Sequence, residues 1–177
     1  IDGKAEDDYS GFSVSLSADG AVVAIGAMED QAGTLIERAD WGPGYVRLYA
    51  WDGSSWEQRG SDIDGEAAAD KSGWSVSLSA DGTVVAIGAN GNDGNGNDAG
   101  HVRLYAWNGS SWEQRGSDID GKSYSGRSVS LSADGSVVAI GASRNDGNGE
   151  DAGHVRLYAW DGSSWEQHGP DFDGEAA

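Results

Sequence analysis

The strongest constraint on this chain is that its sequence repeats three times. The segment SVSLSADG begins at Ser13, Ser75 and Ser128, and VVAIGA follows it each time. Each unit then continues with VRLYAW and GSSWEQ, always in the same order. Units of this kind cannot bury their apolar faces alone and pack against their neighbours instead. We therefore expect a row of similar structural units over residues 1–65, 66–121 and 122–177.

Each unit has the pattern of four antiparallel strands. In the second unit, residues 73–79 alternate apolar residues with serine, which is typical of a half-buried strand. An Asp-Gly turn then leads to residues 83–89, which are almost wholly apolar and so indicate a strand covered on both faces. His101–Trp107 alternates again, and a polar strand begins at Trp112. Four-stranded units of about 53 to 56 residues favour propeller blades, with a solenoid as the competing fold.

Composition excludes several classes of protein. The chain has 11 Lys and Arg against 30 Asp and Glu, a formal net charge of −19, which repels nucleic acid. It has no Cys, so disulfides, thiolate zinc sites and thiol nucleophiles are excluded. No run of 18 apolar residues is present, so membrane insertion is not expected. No catalytic motif is present, and near-identical units disfavour the single asymmetric site of an enzyme.

The order of motifs resembles a known family. Gly11-Phe12-Ser13 and Gly73-Trp74-Ser75 precede the ADG turn, VVAIGA and VRLYAW. This order resembles FG-GAP repeats, the blades of the integrin alpha-chain propeller and of secreted bacterial and algal proteins, in a variant with a short ADG turn. The resemblance implies an all-β fold of three propeller blades. Because propellers have about four to eight blades, further blades or another chain would complete the ring. Arg127 replaces the aromatic residue in the third unit, which predicts an altered contact there.

Aspartate-rich loops are the leading candidates for a metal site. Their carboxylate and amide groups follow the spacing i, i+2 and i+5, and calcium takes six to eight oxygens from such loops. The residues are Asp93, Asn95 and Asp98 in the second unit and Asp146, Asn148 and Asp151 in the third. Integrin-type blades bind calcium between the first two strands, where this chain has only the ADG turn. The resemblance therefore does not carry that site over, and a role in turn formation is the alternative.

Acidic residues between the units are a second candidate for calcium. Residues 62–66 and 118–121 contain the repeated DIDG motif, which could bind calcium at a junction or simply cap turns. His101 and His154 stand where the first unit has Tyr45, so we expect a structural role for both. Asn108 begins the sequon Asn-Gly-Ser in a hairpin turn and is a predicted N-glycosylation site.

Tryptophan pairs and one unique connector complete the candidates. Trp51 and Trp56, like the equivalent pairs in the other units, are expected to pack across a hairpin, with stacking on sugar rings as the alternative. The connector 28–44 is longer than 90–100 and contains Glu37, Arg38, Asp40 and Trp41. A unique binding site would be expected there.

These observations favour a non-enzymatic structural or adhesion module, located outside the cell or on its surface. The expected partners are copies of the same protein, other surface proteins or glycans, and self-association could build an appendage or filament. The alternatives are a calcium-dependent or glycan-binding propeller, and a fragment of an enzyme whose catalytic residues lie outside this chain.

Overall fold

The three sequence units fold into three antiparallel sheets, each of which forms a blade. A computed structural model describes residues 1–28 and 41–175 of the chain. Within those two ranges all regular structure is β-strand, and no helix there could cross a membrane. The all-β prediction and the prediction of tandem blades are confirmed.

Each blade contains five strands, numbered here in chain order. Blade 1 contains β1 (Ser13–Leu16), β2 (Val22–Ala27), β3 (Tyr45–Trp51), β4 (Trp56–Gln58) and β5 (Ile63–Asp64). Blade 2 contains β6 (Ser72–Leu78), β7 (Val84–Ala89), β8 (His101–Trp107), β9 (Trp112–Gln114) and β10 (Ile119–Asp120). Blade 3 contains β11 (Ser128–Leu131), β12 (Val137–Ala142), β13 (His154–Trp160), β14 (Trp165–Gln167) and β15 (Phe172–Asp173).

The outer edge of each blade is a strand broken into two pieces. In blade 1, β4 pairs with the end of β3 and β5 pairs with its beginning, so that Trp51 lies opposite Trp56 and Val46 opposite Ile63. The other two blades have the same arrangement. The DIDG segment, expected to be only a linker, therefore contributes a short strand. Each blade is still a meander with four strand positions from its inner strand to its outer edge, and two short strands share the fourth position.

The ADG turn is formed by local hydrogen bonds that its sequence supplies. In blade 2 the Ser79 hydroxyl donates to the Asp81 carboxylate at 2.7 Å, and the Thr83 amide donates to the same carboxylate at 3.0 Å. The Val84 amide donates to the Ser79 hydroxyl at 2.9 Å. Asp and Ser side chains stabilise turns in this way. The repeated Ser-Ala-Asp-Gly sequence thus determines where β6 ends and β7 begins.

The apolar core lies between the blades rather than within any one of them. One cluster joins blades 1 and 2 and includes Val46, Leu48 and Ile87, and a second joins blades 2 and 3 and includes Leu104 and Val138. The central strand β7 is buried along its whole length, as predicted. In β2 and β12 the burial alternates, and the two strands expose opposite faces. The middle blade is therefore covered on both sides, and the outer two on one side each.

The inner strands lie side by side, and β6 contacts both β1 and β11. The rings of Phe12 and Trp74 are 4.8 Å apart, and the Arg127 guanidinium lies 5.7 Å from the centre of the Trp74 ring. A guanidinium over an indole is an attractive contact. The substitution of an aromatic residue by Arg127 therefore changes the type of contact between blades 2 and 3 and keeps the contact itself.

Candidate functional site

Neighbouring blades are joined by the same hydrogen bonds at both junctions. Between blades 1 and 2, the Ser13 hydroxyl donates to the Gly73 carbonyl oxygen at 2.6 Å, and the Ala18 amide donates to the Ala80 carbonyl oxygen at 2.8 Å. The junction of blades 2 and 3 repeats both bonds, at 2.8 Å each, with the pairs Ser75–Gly126 and Ala80–Ala133. The repeated sequence thus encodes a repeated interface.

An arginine from each preceding blade stacks on the tryptophan pair of the next. The Arg59 guanidinium lies 4.9 Å from the Trp107 ring centre and 5.6 Å from that of Trp112, and it donates to the Gly82 carbonyl oxygen at 3.0 Å. The Trp112 indole donates to the Arg59 carbonyl oxygen at 2.7 Å. The second junction repeats this set with Arg115, Trp160, Trp165 and Gly135. The predicted packing of the Trp pairs across each hairpin is confirmed.

The front face of blade 1 exposes the residues that blade 2 buries. Val14 and Leu16 on β1 are 64% and 60% exposed, whereas the equivalent Val76 and Leu78 on β6 are 9% and 7% exposed. The Trp56 indole makes no hydrogen bond like that of Trp112 within the described residues. The front face of blade 1 thus exposes the positions that blade 2 packs against blade 1.

The back face of blade 3 is open in the corresponding way. Val155 on β13 is 38% exposed and Phe172 on β15 is 61% exposed, whereas the equivalent Val102 and Ile119 of blade 2 are buried. A groove of about 590 Å³ lies on this side and is lined in part by Ser128, Gly141, Val155 and Phe172. His168, which stands in place of Arg59 and Arg115, is exposed.

The groove coincides with the place where the other blades receive a neighbour's backbone. A Cβ atom at Gly26 would collide with the Gly73 carbonyl oxygen, and one at Gly88 with the Gly126 carbonyl oxygen. At the equivalent Gly141, a Cβ atom would meet only atoms of Ser128, from its own blade. The groove therefore has room for the backbone segment that precedes the first strand of a further blade.

A cluster of one histidine and two carboxylates lies at the outer edge of blade 2. His101 is 1% exposed, and its Nδ1 lies 3.7 Å from Asp118 Oδ2 and 4.0 Å from Glu66 Oε2. Arg103 Nη1 lies 3.6 Å from Glu66 Oε1. Burial, together with the charge of Arg103, lowers the pKa of His101 below its ordinary value of 6.5. His101 is therefore a neutral imidazole at pH 7 that faces two carboxylates.

The other two blades arrange the same positions differently. In blade 1, where Tyr45 replaces the histidine, Lys4 Nζ lies 2.9 Å from Asp62 Oδ2 and 3.1 Å from Asp64 Oδ1. In blade 3, His154 Nδ1 lies 3.8 Å from Asp171 Oδ2, and the Arg156 guanidinium binds that same oxygen at 2.8 Å. His154 and His101 were both expected to be structural, and the acids of residues 62–66 and 118–121 were a candidate for calcium, which stays a prediction. That these carboxylates face the histidines was not predicted. The one available signal was that Tyr45 and Lys4 change together to His101 and Glu66.

The predicted calcium loops use their polar groups to close the loops. The Asp98 amide donates to Asp93 Oδ1 at 2.7 Å, the Asn95 side chain donates to the Gly121 carbonyl oxygen at 3.2 Å, and Tyr124 donates to Asp98 Oδ2 at 3.0 Å. The third blade repeats the first two bonds with Asp146, Asn148 and Asp151. Turn formation accounts for these side chains, and calcium binding by them stays a prediction.

Two further predictions concern exposed connectors. Asn108 lies in an exposed turn, where its Oδ1 accepts the Ser110 amide at 2.8 Å and its Nδ2 donates to Glu113 at 2.7 Å. Its glycosylation stays a prediction. In the long connector, Glu37, Arg38 and Asp40 lie outside the described residues. Trp41 is described, and Lys71 Nζ lies 4.4 Å from its ring centre.

Comparison with known proteins places part of the sequence in a family. Residues 56–105 match the FG-GAP repeat family. This stretch runs from β4 to β8 and contains the junction between blades 1 and 2. No match to the chain was found among the curated proteins.

Comparison with solved structures supports the fold. The chain is similar to two 6-phosphogluconolactonase candidates. For the one from Bacteroides uniformis the TM-score is 0.59 at 12% identity over 93% of this chain and 41% of that chain. For the one from Bacteroides fragilis the TM-score is 0.59 at 13% identity over 92% and 38%. Hydrazine synthase from Kuenenia stuttgartiensis gives a TM-score of 0.57 at 11% identity over 99% and 40%.

The chain spans about two fifths of the length of these structures, and at such identities the likeness concerns the fold alone. The neighbours have propeller-like folds. The same motifs and the same sheet recur before and after the matched stretch. The three repeated units therefore form blades of a propeller-like fold, and residues 56–105 of the chain match the FG-GAP repeat family.

Proposed function

We propose that this protein is a non-enzymatic structural module that associates head to tail with a second copy of itself. The observation that carries the proposal is that its two open faces are the two halves of its own internal junctions. Val14 and Leu16 of blade 1 correspond to buried residues of blade 2, and Val155 and Phe172 of blade 3 correspond to other buried residues of blade 2.

The polar groups of the two open faces are complementary as well. In a head-to-tail contact, the Ser128 hydroxyl would donate to the Gly11 carbonyl oxygen of the second copy, as Ser13 and Ser75 donate at the internal junctions. The Trp56 indole would donate to the carbonyl oxygen of His168, as Trp112 donates to Arg59. Each donor that lacks an inter-blade partner at one end of the chain thus has its acceptor at the other end.

Apolar burial would drive this association. Covering an exposed Val, Leu or Phe side chain contributes roughly 1.5–3 kcal/mol, and several such side chains lie on each open face. Association costs about 4–15 kcal/mol of translational and rotational freedom. Because this cost is met once per pair, a pair of copies joined by two contacts is more stable than a pair joined by one. Two copies joined at both ends have six blades, which lies within the range of about four to eight that propellers use. A head-to-tail contact that did not close would continue as a filament.

The mass of the particle in solution tests the proposal. By sedimentation velocity we expect twice the 18.3 kDa of one chain at high concentration, and the monomer after substitution of Leu16→Lys. Ala68→Lys is the control, because Ala68 is exposed on a connector away from both open faces. A wild-type monomer at every concentration, or a Leu16→Lys variant with unchanged mass, would refute it.

A cell-surface or extracellular location and partners among surface proteins are part of the same proposal. They are supported by the resemblance of the motifs to FG-GAP repeats of secreted proteins. Immunodetection of the intact protein on unpermeabilised cells tests the location, and signal only after permeabilisation would contradict it.

Glycan binding is the second candidate, and one observation favours it. Trp51 is 44% exposed beside Trp56, and within the described residues no arginine stacks on this pair as Arg59 stacks on the next. A glycan array probed with and without a calcium chelator tests the candidate. Binding lost after Trp51→Ala would support it, and the absence of binding in both conditions would exclude it.

A further inference from the structure

We propose that the outer edge of blade 2 binds a divalent transition-metal ion such as Zn²⁺ through His101, Glu66 and Asp118. This site is separate from the aspartate-rich loops, and it rests on how the three blades differ at one set of equivalent positions.

The distances in the cluster suit ligands of a common ion better than they suit direct hydrogen bonds. Nδ1 of His101 lies 3.7 Å and 4.0 Å from the two carboxylate oxygens, beyond the usual range of about 2.7–3.2 Å for an N–H···O bond. Nitrogen and oxygen ligands at about 2.0–2.2 Å from zinc lie about 3.4 Å apart at a tetrahedral angle. One ligand atom from each residue lies within 4.8 Å of the other two. Only a small movement of Glu66, whose side chain is 50% exposed, is needed to close the set.

The imidazole itself is the second observation that points to a ligand. His101 is almost wholly buried, and Nδ1 faces the carboxylates. Within the described residues it makes no hydrogen bond through Nδ1, and its buried Nε2 has no hydrogen-bond partner. Buried polar groups are normally satisfied, and a metal ion at Nδ1 would give the nitrogen that faces the carboxylates a partner, whereas Nε2 lies on the other side of the ring. A neutral imidazole is a common metal ligand.

Blade 1 shows that this position accepts a cation. The ammonium group of Lys4 lies between Asp62 and Asp64 and 3.8 Å from the centre of the Tyr45 ring. In blade 2, Tyr45 is replaced by His101 and Lys4 by Glu66. The internal cation and an aromatic residue are thus replaced by two metal-ligating side chains.

The arginine of the third strand also binds a different partner in blade 2. Arg47 Nε lies 3.0 Å from Asp62, and the Arg156 guanidinium lies 2.8 Å from Asp171 Oδ2. In blade 2, Arg103 instead donates to the Asp64 carbonyl oxygen at 2.9 Å. Asp118 is held through its other oxygen, Oδ1, by Gln114 at 2.6 Å. This leaves Asp118 Oδ2 directed at His101, which selects blade 2 over blade 3 as the metal site.

The charges of the cluster favour a divalent ion. Glu66 and Asp118 are two carboxylates, and Arg103 is one cation beside them. An imidazole with carboxylates suits zinc and similar ions, whereas calcium prefers sets made only of oxygens. Water would complete the coordination from the solvent side, where Glu66 is exposed.

Isothermal titration of the metal-free chain with ZnCl₂ tests the proposal, and the repeat supplies a matched pair of variants. We expect one Zn²⁺ per chain for the wild type, loss of that binding in His101→Tyr, and unchanged binding in His154→Tyr. Both changes introduce the residue that blade 1 carries at this position, and circular dichroism and thermal unfolding check that each variant is folded.

A second variant tests the cation site without altering the histidine. Glu66→Lys places an ammonium group where Lys4 lies in blade 1, and we expect it to abolish zinc binding. CaCl₂ in place of ZnCl₂ should give no binding that depends on His101. The proposal is overturned if the wild type binds no zinc, if His101→Tyr binds as the wild type does, or if both histidine variants lose binding equally.

Discussion

Two single residues, Arg59 and Arg115, each make contacts that connect one blade to the next. Each stacks on the tryptophan pair of the following blade and donates to a carbonyl oxygen of its ADG turn. A single side chain thus links the outer edge of one blade to the tryptophan pair and the inner turn of the next. This explains why the position is arginine at both internal junctions.

Removing one of these arginines should weaken the junction. Arg59→Ala loses the stacking on Trp107 and Trp112 and the hydrogen bond to Gly82, so we expect the free energy of unfolding to fall by roughly 1–3 kcal/mol. Urea denaturation measures the change. Lys122→Ala is the control for loss of a positive charge, because Lys122 is exposed. Equal stability of the two variants would show that the stack contributes nothing.

The hairpin turns give the fold a defined sensitivity to acid. Hydrogen bonds from the amides of Ser55 and Ser54 lower the pKa of Asp52 to about 2, and those of Ser164 and Ser163 do the same for Asp161. Because these values lie below the ordinary 3.8, the ionised carboxylates stabilise the fold above that pH. This contribution is lost as the pH falls from 3.8 towards 2.

An aspartate-to-asparagine exchange at these two turns tests the assignment. Asn108 accepts the same hydrogen bonds in blade 2, so asparagine fits the turn and cannot ionise. The double variant Asp52→Asn, Asp161→Asn should lose less stability than the wild type when urea unfolding is compared at about pH 5 and about pH 2.5. An identical loss in both proteins would contradict the assignment.

The sequence predicted contacts within one hairpin better than contacts between segments that are far apart in the chain. The packing of the Trp pairs was predicted from their places on either side of a hairpin turn, and it is confirmed. The cluster of His101, Glu66 and Asp118 was not predicted, because these three residues come from segments far apart in the chain. Only the geometry of the outer edge brings them together.

At the level of strands, three patterns correctly predicted the first three strands of each blade: apolar residues alternating with serine, then a nearly continuous apolar run, then a second alternation. The broken outer strand was not predicted, because Ile63–Asp64 is too short for a periodic pattern. Its pairing depends on the part of β3 that β4 leaves unpaired, and on the burial of Ile63, which is 6% exposed. Neither condition is visible along the chain.

Equivalent glycines on the second strands should differ in their tolerance of a side chain. In Gly88→Ala the new methyl group meets the Gly126 backbone of the next blade, so we expect a loss of roughly 1–3 kcal/mol. In Gly141→Ala it meets only the Ser128 side chain, which can turn away. Urea unfolding at low protein concentration should therefore show a stability near that of the wild type for Gly141→Ala. Equal destabilisation in both variants would contradict this account of the junction.

For the whole molecule, the position of a blade decides the environment of its residues. Val14 and Val76 stand in identical sequence contexts, yet one is 64% and the other 9% exposed, because only Val76 has a blade in front of it. The repeats predicted that blades would stack, and they could not show which faces would lie open. Which faces lie open depends on the position of each blade in the row of three.

The most direct test of self-association is the mass of Gly141→Ala compared with that of the wild type. The methyl group would occupy the space that a neighbour's carbonyl oxygen fills at Gly26 and Gly88, and it would leave the single chain intact. By sedimentation velocity over a range of concentrations, we predict twice 18.3 kDa for the wild type and 18.3 kDa for Gly141→Ala. A wild type that stays monomeric, or a Gly141→Ala variant that associates as strongly as the wild type, would contradict the account.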